Sequence, residues 1–241
     1  MRRRAVRVEG ALSCPRARPY VRRIVTGLAP TFHSYTRAER LADAAVHVAG
    51  LTFGAVAGPW LVIAVADAGG RWATAAVVLY VLGLWGMLSA SAAFNLAPAG
   101  RAKAILRRID HAMILAMIAG SYTPFALVLM PRPLGLPLSI TVWTLAAIGA
   151  AMAVLRPMWL QRWGLVLYLG AGWLLLPLLG PISEALPRPV LELLIAGGLV
   201  YSAGSVVHLL RRLRFHNAAW HAFVLVGAVL HWIAVYRAFA A

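Results

Sequence analysis

Residues 73–95 read ATAAVVLYVLGLWGMLSASAAFN, an unbroken run without one charged side chain. A helix needs about 20 mostly apolar residues to cross a bilayer, and this run supplies them. It shows no period-two alternation of apolar and polar positions, which argues against a barrel strand. Working outward, six more stretches share its character: roughly 44–66, 110–130, 136–155, 163–180, 190–209 and 218–239. The whole chain agrees, at 62% hydrophobic, 12% charged and mean hydropathy +0.79, far above a soluble domain. The expected fold is all-α, an integral membrane bundle of seven transmembrane helices. The fifth stretch is the weakest, because Gly170, Gly172 and Pro177 interrupt it. Such breaks survive in bundles where neighbours satisfy the freed backbone groups.

The net charge of +16 would by itself suit a nucleic-acid binder, but its distribution excludes that class. If the seven stretches span, nineteen of the Lys and Arg residues fall on the side of the N-terminus, and only Arg71, Arg132, Arg188 and Arg237 on the other. A nucleic-acid patch would not respect loop parity. The positive-inside rule then predicts a cytoplasmic N-terminus and an external C-terminus, in a plasma (inner) membrane of bacterial type. Residues 1–38 form a basic arm with few acids and no long apolar core. It is expected to be disordered and cytoplasmic, either touching anionic lipid or consisting of a retention signal or surplus residues. The seven-helix domain is expected over 39–241. Cys14 is the one cysteine, so no disulfide framework can form.

The polar residues inside this apolar chain gather at one depth. Asp43 and His47 open the first span at i,i+4 spacing, on one helix face, with Glu39 a turn earlier. Ser91 and Asn95 close the second span with the same spacing. Asp110 and His111 open the third, and His216, Asn217 and His221 open the seventh. All four groups belong to the end where the N-terminus lies. A carboxylate in hydrocarbon needs a partner or a wet cavity, so Asp110 and His221 are the leading site candidates, with His47 third. Asp43 and Glu39 could equally serve as helix caps or dipole partners. His231 lies about 15 Å beyond His221 along the helix and reads as an internal hydrogen-bonded histidine. Aspartate and histidine together are the makings of a metal site.

Four segments carry a resemblance to a known family. They are Glu39-Arg-Leu-Ala-Asp-Ala-Ala-Val-His47, Arg107-Arg-Ile-Asp-His111 with Ala119-Gly-Ser-Tyr-Thr-Pro-Phe125, Tyr168-Leu-Gly-Ala-Gly-Trp173 with Gly197-Gly-Leu-Val-Tyr201, and Trp220-His-Ala-Phe-Val224 with His231. Over residues 38–240 the chain resembles the haemolysin-III proteins, bacterial relatives of the adiponectin and progestin receptors. The resemblance implies a cytoplasmic-side zinc, held by a helix-2 histidine in a Ser-x-x-x-His pattern and by two helix-7 histidines in a His-x-x-x-His pattern. An aspartate opening helix 3 would hold the water that the metal activates. Here Ser91 matches the serine, Asp110 the aspartate and His221 the second helix-7 histidine. Asn95 and Asn217 stand where the other two histidines belong, and His216 is one residue off, about 100° around the helix.

Amides are weaker, harder ligands than imidazoles, so three states of the site stay open. It is a metal-free network of Asn95, Asn217, Asp110 and His221, or a zinc site of His221 and Asp110 with His47 or His216 recruited, or a weak site for another cation. Asp43 and His111 are expected to support the network. The functions expected in parallel are lipid binding, lipid sensing or membrane homeostasis, and zinc-dependent hydrolysis of lipid amides with Asp110 as base and Ser91 as a donor. The cytolytic, pore-forming activity of the family's name has no physical support in these residues. Membrane lipid is the expected partner and nucleic acid is not; no residue pattern points to a protein partner.

Overall fold

The structure is a computed structural model that describes residues 35–241 apart from residue 69. The basic arm expected over residues 1–38 therefore lies outside the described residues except for its last four positions.

Seven helical segments are long and apolar enough to cross a membrane, and no strand occurs among the described residues. They are α1 (Arg37–Ala68), α2 (Arg71–Leu96), α3 (Arg101–Pro124), α4 (Arg132–Leu155), α5 (Pro157–Gly172) with α6 (Leu179–Ala185), α7 (Arg188–Leu209) and α8 (His216–Phe239). Proline at the first turn starts α4, α5 and α7, where a missing N–H costs nothing because that donor would be unpaired anyway. The fifth span breaks where the sequence places its glycines and proline. α5 ends at Gly172, a 3-10 turn covers Leu176–Leu178, and α6 completes the crossing. Past Pro124, α3 widens into a π turn over Phe125–Leu129.

The helices start earlier than their apolar runs. α3 begins at Arg101, so Asp110 lies not at the helix mouth but nine residues inside it, about 14 Å along the axis at 1.5 Å per residue. The physical reason lies in the basic first turns. Lys103 Nζ donates to the carbonyls of Asn95 (3.2 Å) and Ala97 (2.9 Å) at the end of α2. A cation on unsatisfied C-terminal carbonyls favours both helix ends.

α1 packs between α2 and α8, α3 between α2 and α4, and α7 along α8. In the absence of a hydrophobic driving force between helices in lipid, small residues allow close approach. Gly50, Gly54 and Gly58 form a stripe on α1 against Leu88, Trp85 and Val81 of α2. Trp85 Nε1 reaches across to donate to the Gly54 carbonyl at 2.6 Å. Gly83 lies against the α3 backbone at Ala116 and Met117, and Gly204 lies under Phe223 of α8. The core centres on Tyr80, Leu84, Leu115 and Val142, all nearly inaccessible.

Candidate functional site

Glu39 organises the start of α1. Thr36 and Glu39 form a capping box: Thr36 N–H and Oγ1–H donate to Glu39 Oε2 at 2.9 and 2.7 Å, and Glu39 N–H donates back to Thr36 Oγ1 at 3.3 Å. This pattern satisfies orphan donors of the first turn from both directions. The other carboxylate oxygen accepts from the backbone N–H of Phe215 at 3.3 Å. Phe215 sits at φ 61, a left-handed conformation uncommon for an aromatic residue, and the Glu39 bond helps hold it there. One side chain thus caps α1 and fixes where α8 begins.

With α8 so placed, Asp43 serves as a bridge rather than a cap. His221 Nδ1–H donates to Asp43 Oδ1 at 2.6 Å, and Asn217 Nδ2 donates to Oδ2 at 3.0 Å. His47, one turn along α1, brings Nε2 to 3.6 Å from Oδ2, and its ring centroid lies 4.4 Å from that of His221. Asn217 Nδ2 also reaches Asn95 Oδ1 at 3.3 Å, and Asn95 Nδ2 donates to the Ser91 carbonyl at 3.0 Å. The network joins α1, α2 and α8. Asp43, His47 and His221 are all buried, and a buried polar network is stable only when its members are paired.

Asp110 is buried on α3 and shares a cavity wall with Ser91 of α2. Together with His47 and His221 these two line a single cavity of about 160 Å³. The remaining candidates separate from the group. His216 is buried but faces Tyr35, whose Oη lies 3.5 Å from His216 Nε2. Burial, with Asp43 nearby, raises the Tyr35 hydroxyl above its ordinary value, so it stays neutral. His111 is not among the cavity residues; its carbonyl accepts from Tyr168 Oη at 3.1 Å. His231 lines the same cavity away from the Asp43 cluster, with Nε2 3.2 Å from the Leu194 carbonyl.

Among the described residues the chain could hold a metal ion through Asp43, His47 and His221, whose donor atoms lie within 4.8 Å of one another. Two observations fit a cation there. His47 Nε2 is buried with no hydrogen-bond partner. The Asp43 bond puts the proton of His221 on Nδ1 and leaves Nε2 as a lone pair facing Asn95 Nδ2 at 3.5 Å. A metal on that Nε2 would have Asp43 as the carboxylate that orients the ring, and ligation by Asp43 itself would require that bond to open. The 3.6 Å between His47 Nε2 and Asp43 Oδ2 is close to the edge of a tetrahedron with ligand distances of about 2.0–2.1 Å. The sequence pairs His221 with Asp110 and a recruited His47 or His216; the structure gathers His47, brings in Asp43, and leaves Asp110 on the neighbouring wall. Asn95 and Asn217 enter as hydrogen-bond donors to the group.

The fold and this buried cluster define a multi-pass membrane protein with a polar site at one end of a helical bundle. A sequence model of the family described as haemolysin-III related matches residues 35–232, and the chain belongs to that family. It is 32% identical over 197 residues to a hemolysin-3 homolog of Bacillus subtilis (strain 168), covering 80% of this chain and 91% of the relative. It is 36% identical over 127 residues to hemolysin-3 of Bacillus cereus, covering 53% of this chain and 58% of that protein. No solved structure gives a significant match.

Proposed function

We propose that this chain binds an amphiphilic lipid within its bundle, as a lipid-sensing or membrane-homeostasis protein of the plasma membrane. The observation behind this reading is the form of the cavity. Asp110, Ser91, His47 and His221 gather at one end, while Met87, Leu88, Ile114, Met117, Val224 and Leu225 line the walls. A mostly apolar pocket with a few convergent polar groups is what a small amphiphile requires. The excess of Lys and Arg at the polar end supports a cytoplasmic location for that end.

Asp43, His47 and His221 would hold a divalent ion, and two imidazoles with a carboxylate suit zinc. A bound zinc would supply Lewis-acid polarisation and a water usable as a nucleophile near neutral pH. Without an ion Asp43 keeps the His221 ring in one tautomer, a bond it would give up to become a ligand, and Asn217 and Asn95 tie that carboxylate to α8 and α2. A second reading, hydrolysis of a lipid amide, is favoured by Asp110 standing beside Ser91 on the same wall. Asp110 would take a proton from the water that attacks the amide carbonyl and return it to the departing amine as the C–N bond breaks. The Ser91 hydroxyl would donate to the carbonyl oxygen as charge develops.

The test is thermal unfolding of protein purified in mild detergent across lipid classes, with metal content measured beside His221→Ala. Selective stabilisation by lipids with hydrogen-bonding head groups, lost in Asp43→Ala, is expected, along with about one zinc per chain that His221→Ala removes. Equal shifts for every lipid class would overturn the binding reading. Lipid-amide turnover that Asp110→Ala abolishes would establish the second reading over simple binding.

A further inference from the structure

A second, smaller cavity of about 60 Å³ adjoins the first, and the two share Ser121, Tyr122, Gly172, Trp173, Gly198 and His231. These shared residues form a collar. Tyr122 is fixed by its Oη bond to the Gly172 carbonyl at 2.8 Å, and Trp173 by its Nε1 bond to Ser202 Oγ at 3.0 Å. Between them stand two glycines. A Cβ on Gly172 would meet nothing within 4 Å, while one on Gly198 would stand 3.2 Å from the Trp173 ring. Beyond the collar the walls turn apolar, with Phe125, Leu138, Leu176, Leu186 and Ile195. Phe125 opens the π turn and Leu176 lies in the 3-10 break of the fifth span, so the two irregular helical segments both border this chamber. Irregular helix at membrane depth is tolerated where it is buried in protein or lines a cavity, and π turns recur at functional sites.

Distance gives the collar a meaning. From Asp110 to Tyr122 is twelve residues of one helix, about 18 Å. One leaflet of hydrocarbon is about 15 Å deep, half of a core about 30 Å thick. A chain of ordinary membrane length, with its head at Asp110 and His221, therefore ends at the collar.

We infer that the second chamber is an acyl-chain subsite, entered past the Gly198–Trp173 collar, that takes the end of a chain too long for the first chamber. The occupant is a single-chain amphiphile with a hydrogen-bonding head, whose final methylenes pass Gly198 into the chamber bordered by the π turn. This inference rests on the proposed lipid-binding reading. A chain too short to reach the collar is indifferent to it, whereas a longer one must thread it or fold back in the first chamber.

The experiment is equilibrium binding of lauroyl, palmitoyl and behenoyl ethanolamides to the full chain in mild detergent, for the native protein, Gly198→Leu and Ile195→Trp. Ile195 lines the far chamber and not the first, so Ile195→Trp carries the test if Gly198→Leu does not fold. The expected result is that native protein binds all three, and that either variant keeps lauroyl binding but weakens behenoyl binding by about tenfold, the scale of overpacking in a filled cavity. Native binding with no chain-length discrimination in a folded variant overturns the subsite and leaves the lipid-binding reading standing. Equal loss of all three chains in folded Ile195→Trp also overturns it, since the far chamber would then not be distal. Failure of native protein to bind any of the three overturns both.

Discussion

Replacing Asp43 by alanine removes the α1 carboxylate that accepts from both His221 and Asn217 of α8. His221 Nδ1–H loses its 2.6 Å partner outright, while Asn217 Nδ2 loses a 3.0 Å bond but keeps Asn95 Oδ1 at 3.3 Å. A buried donor left unpaired costs about 1–3 kcal/mol, so one full and one partial loss amount to about 2–4 kcal/mol. At about 2–4 °C per kcal/mol for a chain of 150–250 residues, the apparent Tm should fall by roughly 5–15 °C. Intrinsic fluorescence is a suitable assay, because Trp85, Trp220 and Trp232 report on α1, α2 and α8, the helices the network joins. The control is Glu192→Ala, whose bond to Arg188 at 3.0 Å joins two side chains that are 63% and 90% exposed. Exposed pairs contribute about 0–1 kcal/mol, so this control should move the apparent Tm by no more than about 4 °C. Asp43→Ala unfolding together with Glu192→Ala would refute the bridging role.

Two further perturbations probe helix contacts and the cluster. Gly54→Val places a Cβ 3.1 Å from Leu88 Cδ1 and 3.3 Å from Trp85 Cδ1, and overpacking of about 1–3 kcal/mol should lower the unfolding temperature in the same assay. Asn95→His puts a third imidazole beside His221, whose Nε2 now lies 3.5 Å from Asn95 Nδ2; zinc should then be held more tightly, and a chelator titration should need a higher chelator concentration to strip it than in the native protein.

The fold was legible because apolar runs separated by arginine-bearing loops leave only one cheap arrangement in lipid. The broken fifth span was legible for the same reason, since Gly172 and Pro177 announce where the ladder stops. Helix starts were less so. Arg101, Lys103, Arg107 and Arg108 read as loop in a hydropathy scan, yet they form turns of α3 that cap the end of α2 and bury Asp110 deeper than its position in the sequence suggests. The candidate site was legible in part. The i,i+4 spacing of Asp43 and His47 puts them on one face, but spacing does not say which neighbour that face meets. It meets α8, an outcome set by Glu39 holding Phe215. The offset between His216 and Asn217 was legible as an angle, and the structure shows its result: Asn217 turns to Asp43, His216 to Tyr35. Tyr35 itself carries no sequence signal, because one tyrosine ahead of a capping box belongs to no period or motif. The glycine stripe on α1 was there to read at Gly50, Gly54 and Gly58, but spacing alone does not say that it packs on Leu88, Trp85 and Val81 of α2.

The most direct measurement is site mapping with two photoreactive amphiphiles, one carrying its diazirine beside the head group and the other at the chain end. If the polar end of the cavity holds the head, the first should label Met87, Ser91 or Ile114, the second should label residues near Trp173 and Tyr201, and unlabelled lipid should suppress both. Labelling confined to the outward faces, at exposed positions such as Val56 and Ile63, and undiminished by competitor, would contradict an internal lipid site.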